Sequence, residues 1–255
     1  MPQSATRSNK HAKPAENSAS STENDNYDDR DGTGPIFFWR EWEEPHGFLC
    51  QFCRCTFIDK PGESPIPGHE NTSTHQHTFN CAEQYMMCHK ALILATPDPP
   101  QKKNTSSKRS THPPPRPIPP ERKHLPEAIL TSDNPNQQKY LARSVAFTPR
   151  QEKLYNRCRF EIVVQGNYYK FTQNPELKAK LLATGDRQLV EAAPNDRTWG
   201  IGFLARDARK HGHQNGWGMN LLGKTLESVR ELVRSEDEEG EEARLAIANE
   251  ESGEV

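Results

Sequence analysis

Nine prolines lie between Pro97 and His124. Each fixes its own φ near about −65° and lacks a backbone donor, so neither a helix interior nor a central strand can cross this stretch. Lys, Arg, Ser and Thr fill the gaps. The stretch 97–124 is therefore expected to be a basic, disordered, partly polyproline-like insertion, and any domain around it must be assembled from chain on both sides.

The distribution of apolar residues sets the outer limits of that domain. Residues 1–33 contain almost no large apolar side chains and are read as a disordered N-terminal segment, unable to offset the entropy of ordering. From Ser235 onward nine Asp or Glu face one Arg, a charge of −8 in a chain whose total is −2, so the rest carries +6. Residues 235–255 are read as an acidic disordered tail. One ordered domain remains, over residues 34–234, interrupted by the insertion. With 32% hydrophobic residues and a mean hydropathy of −0.97, its core is modest.

Within the domain, helices are easier to read than strands. Hydrophobic spacing and stop signals predict helices over Ala82–Leu94, Asn136–Ala146 after Ser132 and Asp133, Pro175–Thr184 ending at Gly185, and Leu221–Val233. Asn174 is the expected cap for the helix opened by Pro175. Pro35–Trp39 reads as a short aromatic strand and Phe48–Ile58 as an irregular extended segment. The expected fold is α+β and mainly helical, a single domain with a few short strands. No βαβ alternation is present, which argues against a doubly wound nucleotide-binding sheet.

No apolar run approaches the ~18 residues of a membrane span, and the N-terminus lacks a signal-peptide core. The expectation is an intracellular protein, cytoplasmic or nuclear, with no membrane partner and reduced thiols. Cys50, Cys53, Cys55, His75, His77 and Cys81 offer soft zinc ligands. They lack two cleanly spaced pairs and read equally as small buried residues, so no metal site is assigned.

Candidate chemistry concentrates in polar residues set within apolar patterns. Seven positions separate Glu83 from Lys90, which on a helix brings them within about 20° of one direction and about 10 Å apart along the axis. That gap is too long for an ion pair and suits a bound ligand. Lys170 lies among Tyr168, Tyr169 and Phe171, where an amine is partly desolvated. Glu191, Asp196, Trp199 and two glycines share a loop, the kind of segment that places functional groups. Asn220 precedes the last predicted helix as a possible cap.

These segments, in this order, resemble the NADAR family of YbiA-like N-glycosidases, in its eukaryotic, fungal-type form. The matching pieces are Gly47-Phe48-Leu49, Ala82-Glu83-Gln84-Tyr85-Met86-Met87 with Lys90-Ala91, Lys139 with Arg143, and Lys170-Phe171 with Gln173-Asn174. Leu182-Ala183-Thr184-Gly185, Glu191-Ala192, Asp196 with Trp199-Gly200-Ile201-Gly202, and Asn220-Leu221-Leu222-Gly223 complete the set. The chain departs from the family at the insertion, at Ala142 where Gly is usual, and at Tyr155 where Trp is commoner.

The resemblance implies hydrolysis of the bond between ribose C1 and a base nitrogen, without cofactor or metal. The implied substrates are riboflavin-pathway ribosylamino-pyrimidine phosphates or ADP-ribosylated guanine, the latter making ADP-ribosylated nucleic acid a candidate partner. Protein partners are not indicated. Glu83 is then expected to stabilise the oxocarbenium charge and Asp196 to exchange protons. Lys90 and Lys170 compete as a Schiff-base nucleophile, with Lys90 slightly favoured. Lys139 and Arg143 would take phosphate, Trp199 would stack on the base, and Gln84, Asn174 and Asn220 would read polar edges. The competing reading is a non-catalytic module that binds ADP-ribose or a nucleotide.

Overall fold

The structure, a computed structural model, describes residues 32, 34–67, 76–96, 120–210 and 216–253. The readings of residues 1–33, Gly32 apart, and of residues 97–119 fall outside these. In chain order the elements are β1 (Ile36–Phe38), a 3-10 turn (Gly47–Leu49), β2 (Phe57–Ile58), β3 (Thr78–Phe79), α1 (Ala82–Ala95), α2 (Pro120–Lys123) and α3 (Leu125–Leu130). There follow α4 (Pro135–Arg143), α5 (Pro149–Thr172), α6 (Pro175–Leu182), β4 (Leu189–Glu191), α7 (Ala205–Lys210) and α8 (Leu221–Gly253). The protein is mainly helical, as expected. Among the described residues no helix is long and apolar enough to cross a membrane.

Helix α1 is the hub. Tyr85, Met86, Met87, Cys88, Ala91, Ile93 and Leu94 are all buried, on more than one side of the helix, because α3, α4 and α5 surround it. A helix apolar on several faces must be central rather than superficial. Helix α5 carries the packing outward, since α6 and α8 rest against it. It starts with a capping box: Thr148 Oγ1 accepts from the Gln151 amide, the Gln151 side chain accepts from the Thr148 amide, and Pro149 occupies the first turn. At α4 the cap is Asn134, which accepts from the amides of Asn136 and Gln137. At α6, Asn174 holds the cap position but makes no side-chain capping bond, contrary to expectation.

The strands are short. β1 pairs in parallel with β4, with Phe38 opposite Glu191, and β2 pairs antiparallel with β3. Asn220, at a positive φ of 50°, ties β4 to the start of α8: its side chain accepts from the Glu191 amide at 3.0 Å and donates to the Leu189 carbonyl at 2.8 Å. The close approach depends on Gly223, where an added Cβ would fall 1.9 Å from the Leu189 carbonyl oxygen and 2.5 Å from the Asn220 amide nitrogen. Gly223→Ala is expected to cost at least the 1–3 kcal/mol typical of overpacking, about, by forcing backbone from backbone. Urea unfolding checks this, and an unchanged midpoint would contradict the tight α8–β4 seam.

The last helix departs from its expected end. Instead of stopping at Val233 before a disordered acidic tail, α8 runs on to Gly253. Its first acidic turn is held by side chains that the sequence does not bring together. The Tyr168 hydroxyl donates to Glu236 Oε1 at 2.7 Å, and Lys178 Nζ to Asp237 Oδ1 at 2.5 Å. Likewise, the end of the expected insertion is helical, as α2.

Candidate active site

Four separate segments build one cleft. From α1 come Glu83, Met86, Met87 and Lys90, from α4 Lys139 and Arg143, from α5 Tyr155, and from the loop after β4 the run from Asn195 to Trp199. The cleft is half-open, with a volume of about 340 Å³. The face shared by Glu83 and Lys90 does open onto it, because the two are successive inward positions of the central helix.

Glu83 is the buried acid of this cleft, 2% exposed. Its Oε1 lies 3.8 Å from Lys139 Nζ, too far for a hydrogen bond, and no partner for that oxygen occurs among the described residues. Burial pushes its pKa up, while the charges of Lys139, Arg143 and Lys90 pull it back and Asp196 adds to the rise. Its place in the first turn of α1 also favours the anion. Lys90 is shifted the other way: burial lowers its pKa first, then the charge of Arg143, with Lys139 adding and Glu83 opposing. Its Nζ sits 5.2 Å from the centre of the Phe147 ring, which itself stacks at 5.3 Å on Tyr155. A lowered lysine carries more free amine at neutral pH, the form that attacks a carbonyl.

Asp196 is fixed by its own turn. Its Oδ1 accepts from the amides of Thr198 and Trp199, both at 2.8 Å, so one loop geometry positions the carboxylate and the indole together. Gly200 closes this turn onto β4. A Cβ there would lie 2.8 Å from the Glu191 carbonyl oxygen and 3.1 Å from that of Asp196.

Of the ten residues singled out from sequence, Glu83, Lys90, Lys139, Arg143, Asp196 and Trp199 line the cleft, and four do not. Lys170 is fully buried, its Nζ donating to the carbonyls of Phe48 at 2.6 Å and Cys50 at 3.2 Å. The aromatic neighbours that suggested a reactive amine instead bury a strut that holds the 3-10 turn. Gln84 donates to the carbonyls of Ile129 and Leu130 at 2.9 and 3.0 Å and accepts from the Asn80 amide at 2.8 Å, bracing α1 against α3. Asn174 donates to the carbonyls of Thr56 and Lys170, and Asn220 serves β4 as described. All four side chains bond to backbone groups.

Tyr155, noted from sequence only as a departure from the family's Trp, belongs to the lining, as does Arg197, which no pattern in the sequence marked. Glu191, read from sequence as one of two carboxylates in a functional loop but given no role, is a buried acid whose pKa is pushed up to about 8, by burial first and then by the charge of Asp196. Alanine at 142 is fully buried in the core, so the departure from glycine is absorbed there. Among the described residues no group of three or more His, Cys, Asp or Glu converges as a metal site. The thiols of Cys50 and Cys81 are pushed up to about 12 by burial.

The helical α+β domain thus gathers a buried acid, three cations and an indole in one cleft. Its family is identified by comparison: a NADAR domain model matches residues 37–234, and the chain belongs to the NADAR family. N-glycosidase R617 of Acanthamoeba polyphaga mimivirus is 38% identical over 152 residues, which cover 59% of this chain and 72% of that protein. Protein irg-1 of Caenorhabditis elegans is 31% identical over 160 residues, 63% of each chain. Among solved structures, the NMR structure of Escherichia coli YbiA aligns with a TM-score of 0.48 at 21% identity, covering 80% of this chain and 87% of that one.

Proposed function

We propose that the cleft hydrolyses the bond between C1 of a phosphorylated ribose and a base nitrogen. At the level of the family the activity is that of an N-glycosidase, a hydrolase of N-glycosyl bonds, the name carried by several relatives. The observation that carries the reading is Glu83, a buried carboxyl with an unpartnered oxygen, in a cleft where Lys90, Lys139 and Arg143 supply the countercharge. A buried carboxyl oxygen left without a hydrogen bond costs about 1–3 kcal/mol, a cost that a substrate hydroxyl and a developing positive charge would relieve.

In this reading Arg143 and Lys139, one turn apart on α4, take the phosphate, Arg by its fork and Lys as a point charge. Trp199 stacks on the base. As the C1–N bond breaks, its electron pair leaves with the base nitrogen, which takes up a proton at the Asp196 side, and Glu83 faces the oxocarbenium charge left on the sugar. Water then delivers hydroxide to C1 and returns a proton to the site. Lys90 offers a covalent variant: its free amine adds to C1 of the ring-opened iminium, the C1–N bond to the base breaks as the base leaves with a proton as its amine, and water then hydrolyses the sugar–lysine Schiff base. The volume, about 340 Å³, lies at the small end of ligand pockets and favours a mononucleotide-sized ribosylamino-pyrimidine phosphate over the larger ADP-ribosyl guanine.

Mass spectrometry of the purified protein with both compounds, following release of ribose 5-phosphate or ADP-ribose, tests this directly. Release of ribose 5-phosphate is expected. Silence on both with binding intact would replace the glycosidase by a reader. Arg143→Ala is expected to raise KM for the phosphorylated substrate by about 10- to 100-fold, the loss of one charge-assisted contact, and to leave cleavage of the dephosphorylated nucleoside unchanged. Equal effects on both would remove the phosphate assignment.

A further inference from the structure

Helix α5 contributes one side chain to the cleft, Tyr155. Its ring lies against Phe147, 5.3 Å between centroids, and Phe147 in turn meets Lys90 Nζ at 5.2 Å. The ring is thus fixed between its own helix and an aromatic neighbour, and its hydroxyl has a set place in the lining. Buried tyrosine hydroxyls ordinarily find a partner. Tyr85 donates to Gln165 at 2.8 Å, Tyr168 to Glu236 at 2.7 Å and Tyr169 to Glu63 at 2.6 Å. The Tyr155 hydroxyl has no hydrogen-bond partner among the described residues, so a donor fixed in the cleft wall is left for a ligand. The charged groups that act on it are Glu83 from α1, Arg143 from α4 and Arg159 one turn further along α5, and Arg143 also acts on Lys90. Tyr155 therefore belongs with the cations of α1 and α4 rather than with the loop that carries Asp196 and Trp199.

We propose that Tyr155 is a specificity-determining residue whose hydroxyl is the third donor, beside Arg143 and Lys139, for the terminal phosphate of a ribosyl 5-phosphate. This rests on the reading above in which those two cations take the phosphate. A phosphomonoester carries three terminal oxygens, and the cleft then offers three donors of different kinds: the Arg143 fork, the Lys139 ammonium and a neutral hydroxyl. An O–H that donates to an ionised oxygen makes a short, strong bond, and a ring already packed in place has little freedom to lose on binding. In the diphosphate of ADP-ribose each phosphorus keeps only two free oxygens, and a nucleoside continues beyond. The third donor therefore selects the monoester, in the same direction as the cleft volume of about 340 Å³.

The test uses the full chain and Tyr155→Phe, which keeps the ring against Phe147 and removes a single oxygen. Calorimetric titration with ribose 5-phosphate and with ADP-ribose reads binding without turnover. Tyr155→Phe is expected to weaken ribose 5-phosphate about 10- to 100-fold, as for a lost hydrogen bond to a charged group, and to leave ADP-ribose close to its wild-type affinity. In a double variant with Arg143→Ala the loss due to Tyr155→Phe should shrink, because the two groups hold one phosphate. On the ribosylamino-pyrimidine phosphate KM should rise with kcat held. Thermal melting confirms that the variants fold. Equal weakening of both ligands, losses that simply add with Arg143→Ala, or a fall in kcat at constant KM would each overturn the monoester role of Tyr155. A wild-type protein that binds ribose 5-phosphate but cleaves neither N-glycoside would remove the glycosidase reading alone, and one that does not bind ribose 5-phosphate would overturn the phosphate site and Tyr155 with it.

Discussion

Glu83→Gln is expected to lower turnover about a thousandfold without unfolding the protein. In the proposed mechanism the carboxyl faces the charge that develops on the sugar, and removing one such electrostatic contact typically costs about 10²–10³ in kcat, and up to about 10⁴ when proton transfer is also affected. The amide has the same shape, so packing survives. Its stability should improve near neutral pH, and the sign follows from linkage. Burial raises the folded pKa of Glu83 above its ordinary 4.5, so its favourable contribution is complete below that value and fades as pH climbs through the folded value. Glu191 behaves alike, over a window from 4.5 to about 8. The wild type should therefore lose stability as pH rises through this range, and each Glu→Gln variant should flatten part of the slope. Urea titrations at pH 5 and pH 8 read the difference. An active Glu83→Gln, or one whose stability follows pH as the wild type does, would remove Glu83 from the mechanism.

The part of the site legible in sequence is the part built from helix periodicity. Glu83 with Lys90, and Lys139 with Arg143, are pairs whose spacing on α1 and α4 fixes a shared face, and both faces open on one cleft. Asp196 and Trp199 were legible through the family motif they share with Gly200-Ile201-Gly202; the turn by which the Asp196 carboxylate holds the Trp199 amide came only with the structure. Lys170 misled because local sequence gives the neighbours of an amine but not its acceptors, which lie some 120 residues earlier at Phe48 and Cys50. Helix α5 went unread for a related reason. Its buried positions include Gln151, Gly166, Asn167 and Lys170 beside Ile162, Val163 and Phe171, so the polar bonds that hold it inside erase its apolar stripe. The parallel pairing of β1 with β4 joins strands of three residues across some 150 positions, too short for any alternating pattern. The end of α8 depends on Tyr168 and Lys178, and the placement of Glu191 on Asn220 and on the amide of Ile201, so neither is a local property.

The two candidate lysines should separate completely on substitution. Lys170→Met is expected to destabilise the fold by about 2–5 kcal/mol, since it strips the donor from two buried carbonyls at about 1–3 kcal/mol each, a large share of the ~5–15 kcal/mol that holds a typical domain together. The turn it anchors, Gly47–Leu49, packs through Phe48 against Phe171, so the loss should spread through this side of the core. Lys90→Met removes an amine that is only half-buried and whose contacts are the Phe147 ring and the cleft, so folding should be preserved and activity lost. Borohydride added during turnover then distinguishes the covalent route from direct attack by water. On the covalent route a reduced sugar adduct forms on the Lys90 peptide and is absent in Lys90→Met, since burial and the charges of Arg143 and Lys139 lower the pKa of that amine. An adduct on Lys170, or a Lys170→Met protein that melts like the wild type but is inactive, would reverse the assignment and require the 3-10 turn to open during the reaction. No adduct on either lysine, with turnover abolished by Lys90→Met, would leave Lys90 as a charge that binds the substrate and water as the sole nucleophile.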